Sequence, residues 1–123
     1  MNSNEYIKKA LKTESKDYRF KPTADVTPRI EHAVYGLVTE SAELLDAVKK
    51  AKIYGQDLDK VNIIEEMGDI MWYMALLVDE LGTDFENIWQ KNIKKLELRY
   101  PDKYSDEKAK NRDLLSERKI LET

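Results

Sequence analysis

The chain has 123 residues, 41% of them hydrophobic, which is enough to build the core of one ordinary domain. Its 21 basic and 24 acidic residues give a formal net charge of −3, so no positive excess indicates a nucleic-acid polymer or an anionic membrane as a partner. The absence of cysteine excludes disulfides, thiol nucleophiles and cysteine–zinc sites. The lack of cysteine fits a reducing compartment, so we expect a cytoplasmic protein. Because the longest apolar run, Ile70 to Val78, is far shorter than the ~20 residues of a membrane helix, we also expect it to be soluble.

Apolar residues recur at helical spacing along the chain, and no segment alternates as a strand does, so the sequence predicts an all-α protein of four to five helices. A first helix is expected from Asn4 to about Lys12, followed by a polar loop that contains prolines. Thr27 and Pro28 then form an N-cap and first-turn pair for a second helix, which should end near Lys52. The residues expected on its inward side are Ile30, Val34, Leu37, Ser41, Leu44 and Val48.

A third helix is predicted from Asn62, which forms a capping box with Glu65, to Gly82. Its inward side is expected to hold Ile63, Met67, Ile70, Met74, Leu77 and Leu81. From Ile70 to Val78 every position is hydrophobic, including Trp72 on the side opposite this stripe. A small monomer cannot bury every side of one helix, so we expect a partner subunit to cover the rest, in a homodimer or a dimer of dimers.

The last part of the chain predicts two further helices. Thr83 with Glu86 repeats the capping pattern for a fourth helix, which ends at Tyr100 before a proline. Ser105 is expected to cap a last, strongly charged helix. No repeat, low-complexity tract or linker interrupts the chain, so residues 1–123 are predicted to form a single domain, a compact helical bundle completed by dimerisation.

Two acidic pairs suggest a metal site. Glu40 and Glu43 lie three residues apart on the second helix, and Glu66 and Asp69 lie three apart on the third. If the two helices pack as an antiparallel hairpin, which their short connection favours, four carboxylates share one small volume. Like charges so close repel one another unless cations lie between them. Oxygen ligands without a histidine or cysteine partner favour Mg²⁺, with Mn²⁺ as a possible substitute.

Other interpretations of the same residues remain open. The acidic pairs are also explained as solvated faces of charged helices, while a ferritin-like di-iron centre requires two Glu-x-x-His motifs. The chain has one histidine, His32, which we interpret as structural. Gly36 and Gly68 stand near the acids and are interpreted as positions where a second backbone or a substrate approaches closely.

The motif ESAE at 40–43, a spacer and EMGD at 66–69 resemble the ExxE and ExxD signature of the MazG-like all-α nucleoside triphosphate pyrophosphohydrolases. Further segments, including PRIEHAVYGLVTE, LRYPDKYS, NRD and the amino-terminal LKTES, are similar to its single-domain phage and bacterial branch. The resemblance implies Mg²⁺-dependent cleavage of a (deoxy)nucleoside triphosphate to the monophosphate and pyrophosphate, in nucleotide-pool control or house-cleaning. It also implies that Glu40, Glu43, Glu66 and Asp69 bind the metal. Glu40 and Glu43 are in addition our candidates for the general base.

Positive and polar residues are needed for the substrate. Asn92, Lys95 and Arg99 share one face of the fourth helix within a segment that matches the family, which predicts contacts to phosphate or sugar. Arg112 in the NRD segment and Lys50 after the first acidic pair are further substrate-binding candidates. The alternatives are a helix-end cation favoured by the helix dipole at Arg99, a subunit contact at Arg112 and a solvated lysine at Lys50.

Two alternative functions remain beside the main prediction. One is a phosphoribosyl-ATP pyrophosphohydrolase-like enzyme, which belongs to the same helical superfamily and differs in its substrate. The other is a non-catalytic, metal-stabilised helical interaction protein. Trp72 and Tyr73 likewise have two interpretations, because aromatic side chains here either pack in the core or an interface, or stack on the nucleobase.

Overall fold

The computed structural model describes residues 1–123 and contains helices but no strands, which confirms the all-α prediction. The six helices are α1 (Ser3–Leu11), α2 (Pro28–Lys52), α3 (Lys60–Glu80), α4 (Phe85–Arg99), α5 (Asp106–Lys110) and α6 (Leu114–Glu122). The single charged helix predicted after Ser105 is therefore two helices. Asn111 ends α5, and the Asp113 side chain begins α6 by accepting a hydrogen bond from the backbone N–H of Ser116 at 3.1 Å.

The residues form two compact units, Met1–Gly82 and Thr83–Thr123. Within the first unit α2 packs along α3, and α1 also packs on α3. Within the second unit α4 packs against α6. That a single domain spans residues 1–123 stays a prediction. None of the six helices combines the length and the apolar composition that a membrane crossing requires.

The predicted starts of two helices are wrong by a few residues. Asp59 caps α3, because its side chain accepts a hydrogen bond from the backbone N–H of Asn62 at 3.0 Å, so Asn62 already belongs to the helix. Asp84 caps α4 in the same way, accepting from the N–H of Asn87 at 2.7 Å, and takes the place predicted for Thr83. Aspartate caps helices at least as well as asparagine and better than threonine, which accounts for both differences.

Small residues line the side of α2 that packs on α3. Ala33, Gly36 and Ala47 are buried. A Cβ atom built on Gly36 would lie 2.1 Å from Cε1 of Tyr73, so the ring of Tyr73 packs where any other residue has a side chain. The interpretation of Gly36 as an opening for a backbone or a substrate is therefore wrong, because a side chain of the same chain fills that space.

The predicted inward stripes are also partly wrong. Five residues that they contain are exposed in the structure, namely Val34, Ser41, Val48, Met67 and Leu81. The predicted stripes follow the large apolar side chains, because these dominate a hydrophobic pattern. The two helices instead approach closely through small side chains, so the real contact face is rotated around each helix relative to the predicted stripe. Gly36 meets Tyr73 and Glu40 meets Glu66, so residue numbers rise along α2 as they fall along α3. This order confirms the antiparallel hairpin.

Much of the apolar run of α3 is covered within its own unit, although Met71 is 52% exposed. Ala75, Leu76 and Val78 point in different directions around the helix, and none is more than 1% exposed. Because α1 and α2 both pack on α3, they provide this cover. That a partner subunit covers the rest of the run from Ile70 to Val78 stays a prediction. Further exposed apolar side chains of this unit lie on α2 and the first half of α3.

Candidate functional site

Three carboxylates converge between α2 and α3. Glu40, Glu43 and Glu66 each place one oxygen within 4.8 Å of the others. The three-residue spacing puts Glu40 and Glu43 on one side of α2, and the antiparallel pairing of the helices brings Glu66 opposite them. The structure thus brings together three of the four acids that the sequence predicts to share a site. We refer to these three residues as the carboxylate cluster.

Asp69, the fourth predicted acid, lies one turn further along α3 and is exposed. It is outside the carboxylate cluster, but with Glu40 it lines a neighbouring cavity of about 390 Å³. Burial raises the pKa of Tyr73, and the negative charges of Glu40 and Asp69 raise it further. The two carboxylates therefore act on the same small region. That Asp69 is a metal ligand stays a prediction.

Glu66 is the buried member of the carboxylate cluster, with 5% of its surface exposed. Desolvation, a hydrogen bond with the Glu40 carboxyl and the negative charges of Glu43, Glu40 and Glu65 raise its pKa to about 7 from an ordinary value of 4.5. The protein thus holds a carboxylate where its negative charge is unfavourable, which a bound cation would reverse. The donors are all oxygens, without histidine or cysteine, so the cluster fits the predicted Mg²⁺ or Mn²⁺.

A cleft of about 590 Å³ opens on the other side of the carboxylate cluster, toward the α2–α3 connection, and Glu43 and Glu66 line it. Its further polar lining residues are Asp46, Lys50, Gln56, Asp57, Asp59 and Asn62. Lys50 is the one cation among them, and its Nζ lies 2.9 Å from Oδ2 of Asp46. This substrate-binding candidate therefore lies in the same cleft as Glu43 and Glu66, and its ammonium group is paired with the Asp46 carboxylate. That it binds substrate stays a prediction.

A known protein-family model covers the α2–α3 hairpin that carries the carboxylate cluster. The model of the MazG nucleotide pyrophosphohydrolase domain matches residues 29–104, more than half of the chain. The chain belongs to the MazG family. One similar protein is the gene 37 protein of Mycobacterium phage L5, which is 32% identical to this chain over 77 residues. The match covers 57% of this chain and 65% of that protein, so the chain spans less than two thirds of the relative. No solved structure matches the chain.

The MazG match includes both acidic motifs and the α4 residues expected to contact the substrate. Asn92 is exposed on α4, and Lys95 is half-buried. Arg99, at the end of the same helix, is already paired, because its Nε and Nη2 donate to the Glu117 carboxylate at 2.8 Å and 3.0 Å. That Asn92, Lys95 and Arg99 contact a substrate stays a prediction.

Glu117 on α6 holds two of the predicted substrate-binding residues of this MazG protein. Arg112 Nη2 donates to it at 2.5 Å, beside the two hydrogen bonds from Arg99. These hydrogen bonds lower the pKa of the buried Glu117 carboxyl to about 2. The Arg99 ion pair fastens α6 to α4, and the Arg112 ion pair holds the segment just before α6. That either arginine also contacts a substrate stays a prediction. Nothing in the spacing of Glu117 distinguishes it from the other acids of that charged segment.

The segment Lys12–Ser15, which resembles the single-domain MazG branch, makes contacts that its residue spacing does not predict. In the structure the indole Nε1 of Trp72 donates to Oγ1 of Thr13 at 2.7 Å. The next residue, Glu14, accepts hydrogen bonds from Nε and Nη2 of Arg29 at 2.7 Å and 2.9 Å. The resemblance of LKTES was the only signal that pointed to these contacts.

His32 lies among aromatic rings. Its imidazole makes edge-on contacts with Tyr18 and Tyr73 at centroid distances of 5.4 Å and 5.6 Å, and with Trp72 at 6.4 Å. Its Nδ1 lies 3.4 Å from the hydroxyl of Tyr18. This packing agrees with the interpretation of His32 as a structural residue.

Proposed function

We propose that this MazG protein hydrolyses a (deoxy)nucleoside triphosphate to the nucleoside monophosphate and pyrophosphate. The observation that carries the proposal is the convergence of Glu40, Glu43 and Glu66 inside a matched nucleotide pyrophosphohydrolase domain. Acids that were merely part of a solvated helix face would have no reason to include a buried residue such as Glu66, because burial disfavours a charged carboxylate. A role in control or cleaning of the nucleotide pool, in the cytoplasm, follows from such an activity and belongs to the same proposal.

The residues proposed to hold Mg²⁺ are Glu40, Glu43, Glu66 and Asp69. When bound, the ion supplies charge neutralisation for the polyphosphate and the leaving pyrophosphate, and it makes a coordinated water more acidic. Three of these side chains are gathered already, and Asp69 adjoins Glu40 on the lining of the smaller cavity. The chain thereby supplies a preformed set of oxygen donors, which reduces the reorganisation that metal binding requires.

The proton of the attacking water is proposed to pass to Glu40 or Glu43. Both lie on α2 within the carboxylate cluster, so either side chain is close to any water that the cluster holds. Glu40 is half-buried and also lines the smaller cavity, whereas Glu43 is exposed and faces the larger cleft. The two candidates thus differ in the cavity from which they would receive the proton.

Several side chains are proposed to contact the substrate. Lys50 would meet a phosphate in the larger cleft by exchanging its partner Asp46 for a phosphate oxygen. The residues proposed from the family resemblance as further contacts to phosphate or sugar are Asn92, Lys95, Arg99 and Arg112. Of these, each arginine would have to share its ion pair with Glu117.

A homo-oligomer, either a dimer or a dimer of dimers, is also proposed, with a contact face that includes the exposed apolar side of α2. Four apolar residues of α2, each between 44% and 67% exposed, recur on one side of the helix, namely Val34, Val38, Leu45 and Val48. On the first half of α3, Val61 and Ile64 are more exposed still. Contiguous exposed apolar surface of this kind is typical of a protein–protein contact.

The hydrolase proposal is tested by incubating the protein with a panel of nucleoside triphosphates, both common and modified, in the presence of Mg²⁺. Separation of the products by ion-exchange chromatography should show a monophosphate and pyrophosphate in equal amounts from at least one substrate. Phosphoribosyl-ATP belongs in the panel, because its preferred hydrolysis would instead support the related enzyme. Orthophosphate as the only product, or equal rates in EDTA, would contradict the proposal.

A matched pair of variants separates the carboxylate cluster from ordinary surface acids. Glu40→Gln removes one charge from the cluster, and Glu65→Gln removes the neighbouring exposed acid of α3, which lies outside the cluster. We expect the first to lower turnover by at least about 100-fold, the typical loss when a general base or metal ligand is removed. The second should stay within a few-fold of the wild type. Similar losses in both variants would mean that only the overall negative charge matters.

A further inference from the structure

The turn after α1 holds the indole of Trp72 through one hydroxyl group. Trp72 Nε1 donates to Oγ1 of Thr13 at 2.7 Å, and the Thr13 hydroxyl itself donates to the carbonyl oxygen of Ala10 at 2.7 Å. An indole nitrogen only donates, and a hydroxyl has one hydrogen. Both roles of the hydroxyl are therefore assigned, and serine is the one other small side chain that supplies the same acceptor.

The residue that follows Thr13 fastens this turn to α2 and α3. The carboxylate of Glu14 is buried and accepts two hydrogen bonds from Arg29, near the start of α2. Arg29 Nη1 also donates to Asp79 near the end of α3 at 2.5 Å, and the hydroxyl of Tyr18 donates to Glu14 at 2.5 Å. These charge-assisted hydrogen bonds tie the turn that carries Thr13 to the first turn of α2 and, through Arg29, to the end of α3.

Thr13, Trp72 and Tyr73 line the same cavity of about 390 Å³ as the acids Glu40 and Asp69. The rings of Trp72 and Tyr73 stand at 89° to each other with centroids 5.0 Å apart. The lining of the cavity therefore combines aromatic rings with carboxylates. Such a combination suits a ligand with a flat apolar part and a charged part, provided that the rings keep one orientation.

We propose that Thr13 is a positioning residue for the nucleoside part of the substrate and acts through Trp72. By accepting the indole hydrogen, it keeps the indole on the wall of the cavity beside Glu40 and Asp69, where the nucleoside of a bound triphosphate meets it. The proposal rests on the proposed function, because it assumes that the phosphates lie at the acids. It adds a role for the segment Lys12–Ser15 that the acidic motifs do not require.

The test compares Thr13→Val, which keeps the shape but removes the hydroxyl, with Thr13→Ser, which keeps the hydroxyl. All variants carry Trp89→Phe, which leaves Trp72 as the only tryptophan, since the chain has two. Trp89 lies in the second unit and stacks on Phe85. The measurements are KM and kcat for the nucleoside triphosphates, the quenching of Trp72 fluorescence by the same nucleotides with Mg²⁺, and the melting temperature.

We expect Thr13→Val to raise KM and the quenching midpoint by about 3- to 10-fold, the effect of one lost hydrogen bond, with little change in kcat. Thr13→Ser should restore both values. Trp72→Phe removes the donor instead of the acceptor and should raise KM similarly. Combined with Thr13→Val it should cause no further loss, because both changes break the same bond. If Thr13→Val does not fold, the KM of Trp72→Phe tests the proposal in its place.

The outcomes separate this inference from the proposed function. If the wild type hydrolyses a triphosphate but Thr13→Val changes only the melting temperature, the positioning role is overturned and the hydrolase proposal stands. If nothing is hydrolysed but a triphosphate quenches Trp72 and Thr13→Val weakens the quenching, the hydrolase proposal fails and the positioning role stands. If no triphosphate quenches the Trp72 fluorescence of the protein that carries Trp89→Phe alone, the positioning role is overturned.

Discussion

The ring of Tyr73 lies directly on the backbone of Gly36, so closely that a Cβ at Gly36 would stand 2.1 Å from the ring carbon Cε1. The contact joins α2 to α3 one turn from Glu40, and Tyr73 itself lines the cavity that Glu40 shares with Asp69. A glycine that weakens a helix in isolation thus allows the close packing that supports the carboxylates.

Gly36→Ala should therefore lower the stability of the protein. The new methyl group overlaps the ring of Tyr73, and such overpacking costs about 1–3 kcal/mol. Gly68→Ala is the matched control, because a Cβ there meets no atom within 4 Å. It should raise the free energy of unfolding by about 0.5–1 kcal/mol through helix propensity alone. Urea unfolding in EDTA measures both, and equal effects of the same sign would contradict the packing argument.

Glu66→Gln should separate stability from activity. Without metal, the substitution removes a buried charge that repels Glu43 and Glu40, so the variant should melt at the same temperature as the wild type or higher. Mg²⁺ should raise the melting temperature of the wild type by mass action and that of the variant much less. Asp69→Asn should behave in the same way and should nearly abolish turnover.

Thermal melts with Mg²⁺ and with EDTA, run beside rate measurements, test this prediction. Glu65→Gln serves again as the control and should keep both the Mg²⁺ response and the rate. If Glu66→Gln melts far below the wild type in EDTA yet keeps most of its turnover, Glu66 is a structural residue and the proposed metal site is wrong.

The Glu117 carboxylate should make the protein sensitive to acid. Its pKa is lowered to about 2 by hydrogen bonds from Arg99 and Arg112, against an ordinary value of 4.5 in the unfolded chain. Between these values the unfolded chain binds more protons than the native protein. The stabilisation is thus complete above about pH 4.5 and is lost as the pH falls toward 2.

Urea unfolding at pH 7 and at pH 3 measures this effect. Glu117→Gln should be less stable than the wild type at pH 7, because it leaves two arginines without their carboxylate, and the difference should shrink at pH 3. Glu122→Gln breaks an ion pair with Arg118 at 2.7 Å in which both side chains are exposed, and it should change little at either pH. A constant difference between wild type and Glu117→Gln would show that the carboxylate has an ordinary pKa.

The oligomer is tested on the exposed side of α2. Val38→Glu introduces a charge into the middle of the apolar stripe and should weaken assembly, because an interface would bury that charge without a partner. Leu115→Glu places the same charge on another exposed residue, outside the stripe, and should leave the mass unchanged. Light scattering at micromolar concentration measures the masses. A monomeric wild type would refute the oligomer, and dissociation by Leu115→Glu alone would place the contact on another surface.

Where the sequence-based predictions succeed, the signal is local. The end of α2 near Lys52 and its cap at Thr27 agree with the structure, and the Thr27 side chain accepts a hydrogen bond from the N–H of Ile30 at 3.2 Å. Caps involve side chains and backbone groups three residues apart, so the residue types nearby predict them. The predicted cap of α3 is wrong because Asp59 and Asn62 lie within the same few residues, and aspartate and asparagine have similar N-cap propensities.

The sequence by itself determined the helical class, the pairing of acids within each helix and the membership of the MazG family, because all three depend on residue types at short, regular spacings. Only the tertiary structure decided which sides of α2 and α3 meet, and that Thr13 contacts Trp72 across 59 positions of the chain. Arg99 likewise finds Glu117 only through the packing of α4 on α6. Contacts of this kind depend on how small and large side chains fit together across a whole unit, and no repeating pattern in the sequence records that fit.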